Sequence, residues 1–150
     1  MQLDPRGPRL NAILTSVVLA LSLLTAPATV GIVLLAAQTA LFAIGVTLGV
    51  HRTPSAWVFR RFVRPRLAEP SHLEDAGPPR FAQAVGLGFA VLALVGYLSG
   101  LDLLGQVATG FALAAALLNA VFGLCLGCEL YLLLRRAVPA RSVTPVTTNV

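Results

Sequence analysis

Four long apolar stretches dominate the chain, and together they hold a single charged side chain. They run over residues 10–25, 29–50, 81–98 and 103–134, and the one charge is Glu129. A bilayer core takes about 20 apolar residues per helix, within a range of roughly 17 to 25. The first and third stretches are at the short end; the fourth is long enough to tilt or to project beyond the hydrocarbon. None shows the two-residue alternation of a barrel strand, and in lipid the other structure that satisfies the backbone is the helix. Ala26-Pro27-Ala28 and Ser99-Gly100-Leu101-Asp102 are tight breaks, so each consecutive pair reads as an antiparallel hairpin. The expected fold is all-α: four transmembrane helices as two hairpins, in one membrane domain over 1–150. A loop over 51–80 joins the hairpins, and a flexible tail covers 137–150. The bulk figures agree. The chain is 57% hydrophobic and 11% charged, where a soluble domain carries about 25% charged residues. So much apolar surface cannot be hidden in a globule of 150 residues. An ordinary soluble enzyme, a disordered tail and a disulfide-stapled secreted module are excluded.

The charges orient this arrangement. All 11 basic residues are Arg. Arg6 and Arg9 precede the first stretch. Arg52, Arg60, Arg61, Arg64, Arg66 and Arg80 lie in the long loop. Arg135, Arg136 and Arg141 follow the fourth stretch, and neither tight turn holds a basic residue. Basic residues favour the cytoplasmic side, so both termini and the loop are expected there, in a bacterial plasma membrane. A competing reading takes residues 10–25 as the apolar region of a signal peptide and Ala26-Pro27-Ala28 as its cleavage site. Within the loop, Thr53-Pro54-Ser55 reads as a helix start. Residues 56–63 mix Trp57, Phe59 and Phe62 with Arg60 and Arg61, which suits a short helix in the membrane interface. A basic loop between two spans is explained by topology, so no nucleic-acid partner is expected.

The sharpest motif is Cys125-Leu126-Gly127-Cys128-Glu129, near the cytoplasmic end of the fourth stretch, and it holds both cysteines of the chain. On one continuous helix the two cysteines and Glu129 would share a stripe. C-x-x-C can be a redox dithiol, half of a metal site, or two small side chains that pack well. A position well inside a helix, without a βαβ pattern, is unlike a thioredoxin motif. An apolar site and a neighbouring carboxylate would both disfavour a thiolate. Glu129 in a span is a functional candidate by default, with an ion pair to Arg135 or Arg136 as the plain alternative. His51 and His72 would have to complete a zinc site, but no spacing links them to the cysteines, so neither metal nor cofactor is expected. Asn119, Gly123 and Gly127 form a four-spaced ridge for close helix packing, with Gly45, Gly49, Gly86 and Gly88 in similar roles. Gln38, Gln83, Gln106 and Asn119 read as interhelical hydrogen bonders.

Three blocks carry a family resemblance. They are Asp4-Pro5-Arg6-Gly7-Pro8-Arg9-Leu10-Asn11-Ala12; Arg64-Pro65-Arg66-Leu67 with Leu73-Glu74-Asp75 and Pro78-Pro79-Arg80-Phe81-Ala82-Gln83; and Leu118-Asn119-Ala120 through the cysteines to Tyr131. Over about residues 3–136 the chain resembles the actinobacterial membrane family known as domain of unknown function 4395. The resemblance implies a small bacterial protein of four spans, associated with thioredoxin-like and sulfurtransferase proteins. It also implies that Asp4, Arg6, Arg9, Arg64, Arg66, Glu74, Asp75, Arg80 and Glu129 converge on the cytoplasmic side, as a salt-bridge network or as a docking face above the dithiol.

Three functions follow as expectations. In the first, Cys125 and Cys128 exchange electrons or a persulfide with a cytoplasmic thioredoxin-like or rhodanese-like protein, while Glu129 shuttles protons or orients the thiols. In the second, the chain is a non-catalytic anchor or assembly subunit, binding another helix (a second copy included) through its glycine ridge and a soluble protein through its loop. In the third, it transports small sulfur species. In all three the lipid bilayer is a partner.

Overall fold

The structure, a computed structural model, describes residues 2–4, 6–68 and 74–137. Helices α1 (Arg6–Thr25) and α2 (Thr29–Thr47) form one hairpin. A 3₁₀ turn (Val50–Arg52), helix α3 (Pro54–Val58), a π-helical turn (Phe59–Val63) and a second 3₁₀ turn (Arg64–Arg66) make up the described first part of the loop. Helices α4 (Gly77–Leu98) and α5 (Asp102–Phe122) form the second hairpin, and α6 (Leu126–Ala137) follows. The four long helices pack as a closed ring, α1 on α2, α2 on α4, α4 on α5 and α5 on α1. Each is long and apolar enough to cross a membrane, and no more than 28% of any span is buried inside the bundle. Their outer faces therefore carry exposed Val17, Leu24, Val33 and Val95, as in a multi-pass membrane protein. The only extended pairing among the described residues is a two-residue antiparallel ladder between β1 (Gln2–Leu3) and β2 (Glu74–Asp75).

Helix limits follow local chemistry more than hydropathy. α1 and α4 each begin four residues before their apolar stretch, because a polar first turn can serve its own free N–H groups. The Asp4 carboxylate accepts from the Arg6 N–H (3.0 Å) and the Asp75 carboxylate from the Gly77 N–H (3.3 Å). α2 stops at Thr47, where residue 50 was expected. The loop helix starts as expected: the Thr53 hydroxyl accepts from the Ala56 N–H (3.3 Å), with Pro54 in the first turn. It does not lie free, however. The Ser55 hydroxyl donates to the Asn11 side-chain oxygen (2.6 Å), and the buried Phe59 ring lies on Gly7 of α1. Trp57 and Phe62 stay outside, edge to face at 6.0 Å.

The fourth apolar stretch is where expectation and structure part. A single helix to residue 134 is broken at 123–125. Gly123 has φ 70°, a left-handed conformation that glycine adopts without a Cβ clash. Its N–H donates to the Asn119 carbonyl (3.0 Å), and the Leu124 N–H reaches the Leu118 carbonyl (3.3 Å). These bonds cap α5, and α6 starts afresh. Gly123 and Gly127 thus belong to different elements, and the ridge through Asn119 does not form.

The packed core fills the half of the bundle nearest the two tight turns. It is built from Leu19, Leu35, Phe42, Ala90, Ala93, Tyr97, Ala108 and Ala112. Gln38 lies beside this core and donates to the Thr15 hydroxyl across α1 and α2 (3.3 Å). The Tyr97 hydroxyl is buried with no partner among the described residues. A buried unpaired hydroxyl costs about 1–3 kcal/mol, so Tyr97→Phe is expected to raise the melting temperature in detergent, by about 1 kcal/mol of added stability. An unchanged or lower melt would mean that the hydroxyl has a partner.

Candidate functional site

The opposite half, at the arginine-rich end, is hollow. Small side chains cause this: Ala12 on α1, Ala82 and Gly86 on α4, and Ala112, Ala115 and Ala116 on α5 leave a cavity of about 570 Å³. Phe42, Phe89 and Phe111 line it toward the core, and the last two rings stack with centroids 6.2 Å apart. Toward the chain ends its lining turns polar, with Asp4, Asn11, His51, Arg60 and Arg64. Gln83 and Asn119 also line it, and among the described residues neither side-chain amide has a protein partner. Cys125 is part of the same wall.

The break after α5 decides the chemistry of the cysteines. Cys125 is the residue before α6. Its carbonyl accepts from the Glu129 N–H (3.0 Å), and its sulfur accepts from the Cys128 N–H (3.3 Å). The two cysteines are half-buried and joined as a disulfide, with Cα atoms 5.1 Å apart. The expectation of a motif well inside a helix is therefore corrected. At a helix start, free N–H groups and the macrodipole favour negative charge on a nearby sulfur. The stripe shared with Glu129 is not formed either, because Cys125 lies outside the helix. Glu129 is exposed in the first turn of α6, where a carboxylate suits the dipole, and it does not line the cavity.

α6 is seated by one contact above all. A Cβ on Gly127 would lie 2.6 Å from the Ala82 Cα, so the two backbones touch there. Further along, the Tyr131 ring meets Phe81 at 5.7 Å and lies under the Arg135 guanidinium at 5.9 Å. Close packing at Gly127 was expected; its partner is α4. Gly45 and Gly86 also face close neighbours, the Gln83 side chain and the Phe42 ring, whereas a Cβ on Gly88 would meet nothing within 4 Å.

Several of the polar residues expected on the cytoplasmic side bond to backbone carbonyls. Arg9, in the first turn of α1, donates to the Ala120 and Val121 carbonyls at the end of α5 (3.1 and 3.0 Å). Arg80, in the first turn of α4, donates from Nε to the Val46 carbonyl at the end of α2 (2.7 Å). Each arginine caps the C-terminus of the antiparallel neighbour, where carbonyls are unpaired and the dipole is negative. Arg6 donates to the Ala68 carbonyl (3.0 Å) and Arg66 to the Phe62 carbonyl (3.2 Å). Asp75 and Glu74 join Gln2 and Leu3 through the ladder. The ends are held by arginine-to-carbonyl bonds, and Arg64 is left at the cavity lining.

His51 lines the cavity, while His72 lies outside the described residues, as do Arg141 and the tail beyond Ala137. Among the described residues, no three His, Cys, Asp or Glu side chains are grouped to hold a metal. Sequence reasoning missed the cavity itself. The signal available was three amides inside apolar stretches, Asn11, Gln83 and Asn119, all of which line the cavity.

A family model described as Domain of unknown function (DUF4395) matches residues 3–136. No curated protein and no solved structure matches the chain.

Proposed function

The chain belongs to the DUF4395 family, and from that membership and its site we propose that it is a membrane thiol-redox or sulfur-relay component. The observation that carries this reading is the bonded pair Cys125–Cys128 at a helix start, with Cys125 in the wall of a cavity. In thiol exchange the reduced Cys125 thiolate attacks a sulfur of the substrate disulfide and forms a mixed disulfide. Cys128 then loses its proton and attacks the Cys125 sulfur. The Cys125–Cys128 bond forms, the mixed disulfide breaks, and the substrate leaves as a dithiol. The arginine-rich end faces the cytoplasm by the positive-inside rule, so a thioredoxin-like or rhodanese-like protein there is the proposed partner. Glu129, exposed beside the pair, contributes to docking more than to proton transfer.

The test is the oxidation state of the two cysteines in native membranes, read by differential alkylation and mass spectrometry. Both are expected to shift between thiol and disulfide with the redox state of the partner, and the Cys125→Ser/Cys128→Ser double variant should fail to complement a deletion. Cysteines that never change state, in a chain whose double variant complements fully, would overturn the reading.

A second reading has its own support. Arg60, Arg61, Arg64 and Arg66 are all exposed on one short loop segment, which would suit an anchor that docks an acidic soluble protein. Loss of a crosslinked partner on neutralising these arginines, but not on replacing the cysteines, would favour it.

A further inference from the structure

We propose that the cavity beside Cys125 is a binding site for a lipid-soluble quinone, which takes the electron pair of the Cys125–Cys128 dithiol. This inference rests on the thiol-redox reading and names the small molecule that the same site serves. Ligand cavities span about 300–1,000 Å³ and are mostly apolar, with a few fixed polar groups. The volume here, about 570 Å³, falls inside that range. Its chemistry runs in one direction. Phe42, Phe89 and Phe111 offer flat apolar surfaces at one end, and the stacked pair leaves room for offset contact with another flat ring. Gln83 and Asn119 offer amide N–H groups, free of protein partners among the described residues, suited to ring carbonyl oxygens. Phe111 lines the cavity and is also 62% exposed. The cavity therefore reaches the apolar exterior beside α5, where a hydrocarbon tail can lie. A plain lipid chain would offer the two half-buried amides no acceptor.

The pair is oxidised in the structure, so its dithiol is first regenerated by thiol exchange with a reduced thioredoxin-like protein, which leaves as its disulfide, and the redox step then balances. The Cys125 thiolate adds to the quinone ring, forming a C–S bond and placing an electron pair on a ring oxygen. The Cys128 thiolate then attacks the Cys125 sulfur; the S–S bond forms and the C–S bond breaks. The two protons lost by the thiols equal the two gained by the ring oxygens, so dithiol and quinone become disulfide and hydroquinone.

The experiment uses the full chain in phosphatidylcholine–phosphatidylglycerol nanodiscs and decylubiquinone, whose ring has no hydrogen to lose, so that a thiol adduct stays reversible. Reduced protein under anaerobic conditions is expected to bleach the quinone absorbance in equimolar ratio to the disulfide formed. In equilibrium dialysis the Cys125→Ser/Cys128→Ser variant should still bind the quinone above the level of empty nanodiscs, without reducing it. Asn119→Leu should bind about tenfold more weakly, as one lost hydrogen bond predicts. Ala115→Phe, which fills the cavity, should not bind; its helicity and melt are checked alongside. Binding no better than to empty nanodiscs overturns the cavity assignment and leaves the thiol reading standing if the pair still exchanges with a thioredoxin-like protein. Equal competition by decanol overturns it in favour of a lipid chain. Binding by the double variant, with a wild-type dithiol that never reduces the quinone, overturns the electron transfer, and exchange with a thioredoxin-like protein, read separately, decides whether the thiol reading stands.

Discussion

Cys128→Ser is expected to trap a covalent complex with a thioredoxin-like partner, while Cys125→Ser forms none and lowers exchange to background. The asymmetry comes from the break after α5. Cys125 precedes α6, lines the cavity and accepts a hydrogen bond from the Cys128 N–H (3.3 Å). A helix start favours the thiolate at that position. It should therefore be the attacking sulfur, with Cys128, at the third helical position, as the resolving one. Without Cys128 the mixed disulfide has no internal route to release. Non-reducing gels of crosslink-free membranes read the result: a reductant-sensitive band in Cys128→Ser only. A band in Cys125→Ser and none in Cys128→Ser would reverse the assignment.

Gly127→Val is expected to unseat α6. The added Cβ would fall 2.6 Å from the Ala82 Cα, a backbone atom that cannot turn aside. The helices must separate, and overpacking of this kind costs about 1–3 kcal/mol. Two readouts follow. The melting temperature in detergent drops, and alkylation of reduced Cys125 accelerates as the cavity wall opens. Gly127→Ala should show the same changes at smaller size. Gly88→Ala is the control, since its Cβ meets nothing within 4 Å. A Gly127→Val protein that melts and alkylates like the wild type would mean that α6 is not held against α4.

These two expectations depend on a feature that periodicity could not reveal. In an apolar run, glycines four residues apart read equally well as a packing ridge or as a cap followed by a contact. Gly123 proves to be the cap, through its φ of 70°, and Gly127 the contact, through Ala82. The choice depends on whether α5 gains more by continuing or by letting α6 return to α4, and that is settled by helices far apart in sequence. Arg9 and Arg80 illustrate the same limit. Their placement outside the apolar stretches was legible in the sequence. Their use as caps on α5 and α2 needed the neighbouring carbonyls in place.

The sequence by itself determined the four apolar helices, the two hairpins, the start of the loop helix at Thr53 and the gathering of charge at one end. Each is a local matter of hydropathy, turn residues or backbone chemistry, acting over a few residues. Only the tertiary structure decided that the apolar run 103–134 breaks at 123–125, that Cys125 stands at a helix start, and that a cavity opens beside it. A cavity is the space that four helices leave unfilled, so it is a property of their mutual packing, which no single stretch of chain encodes.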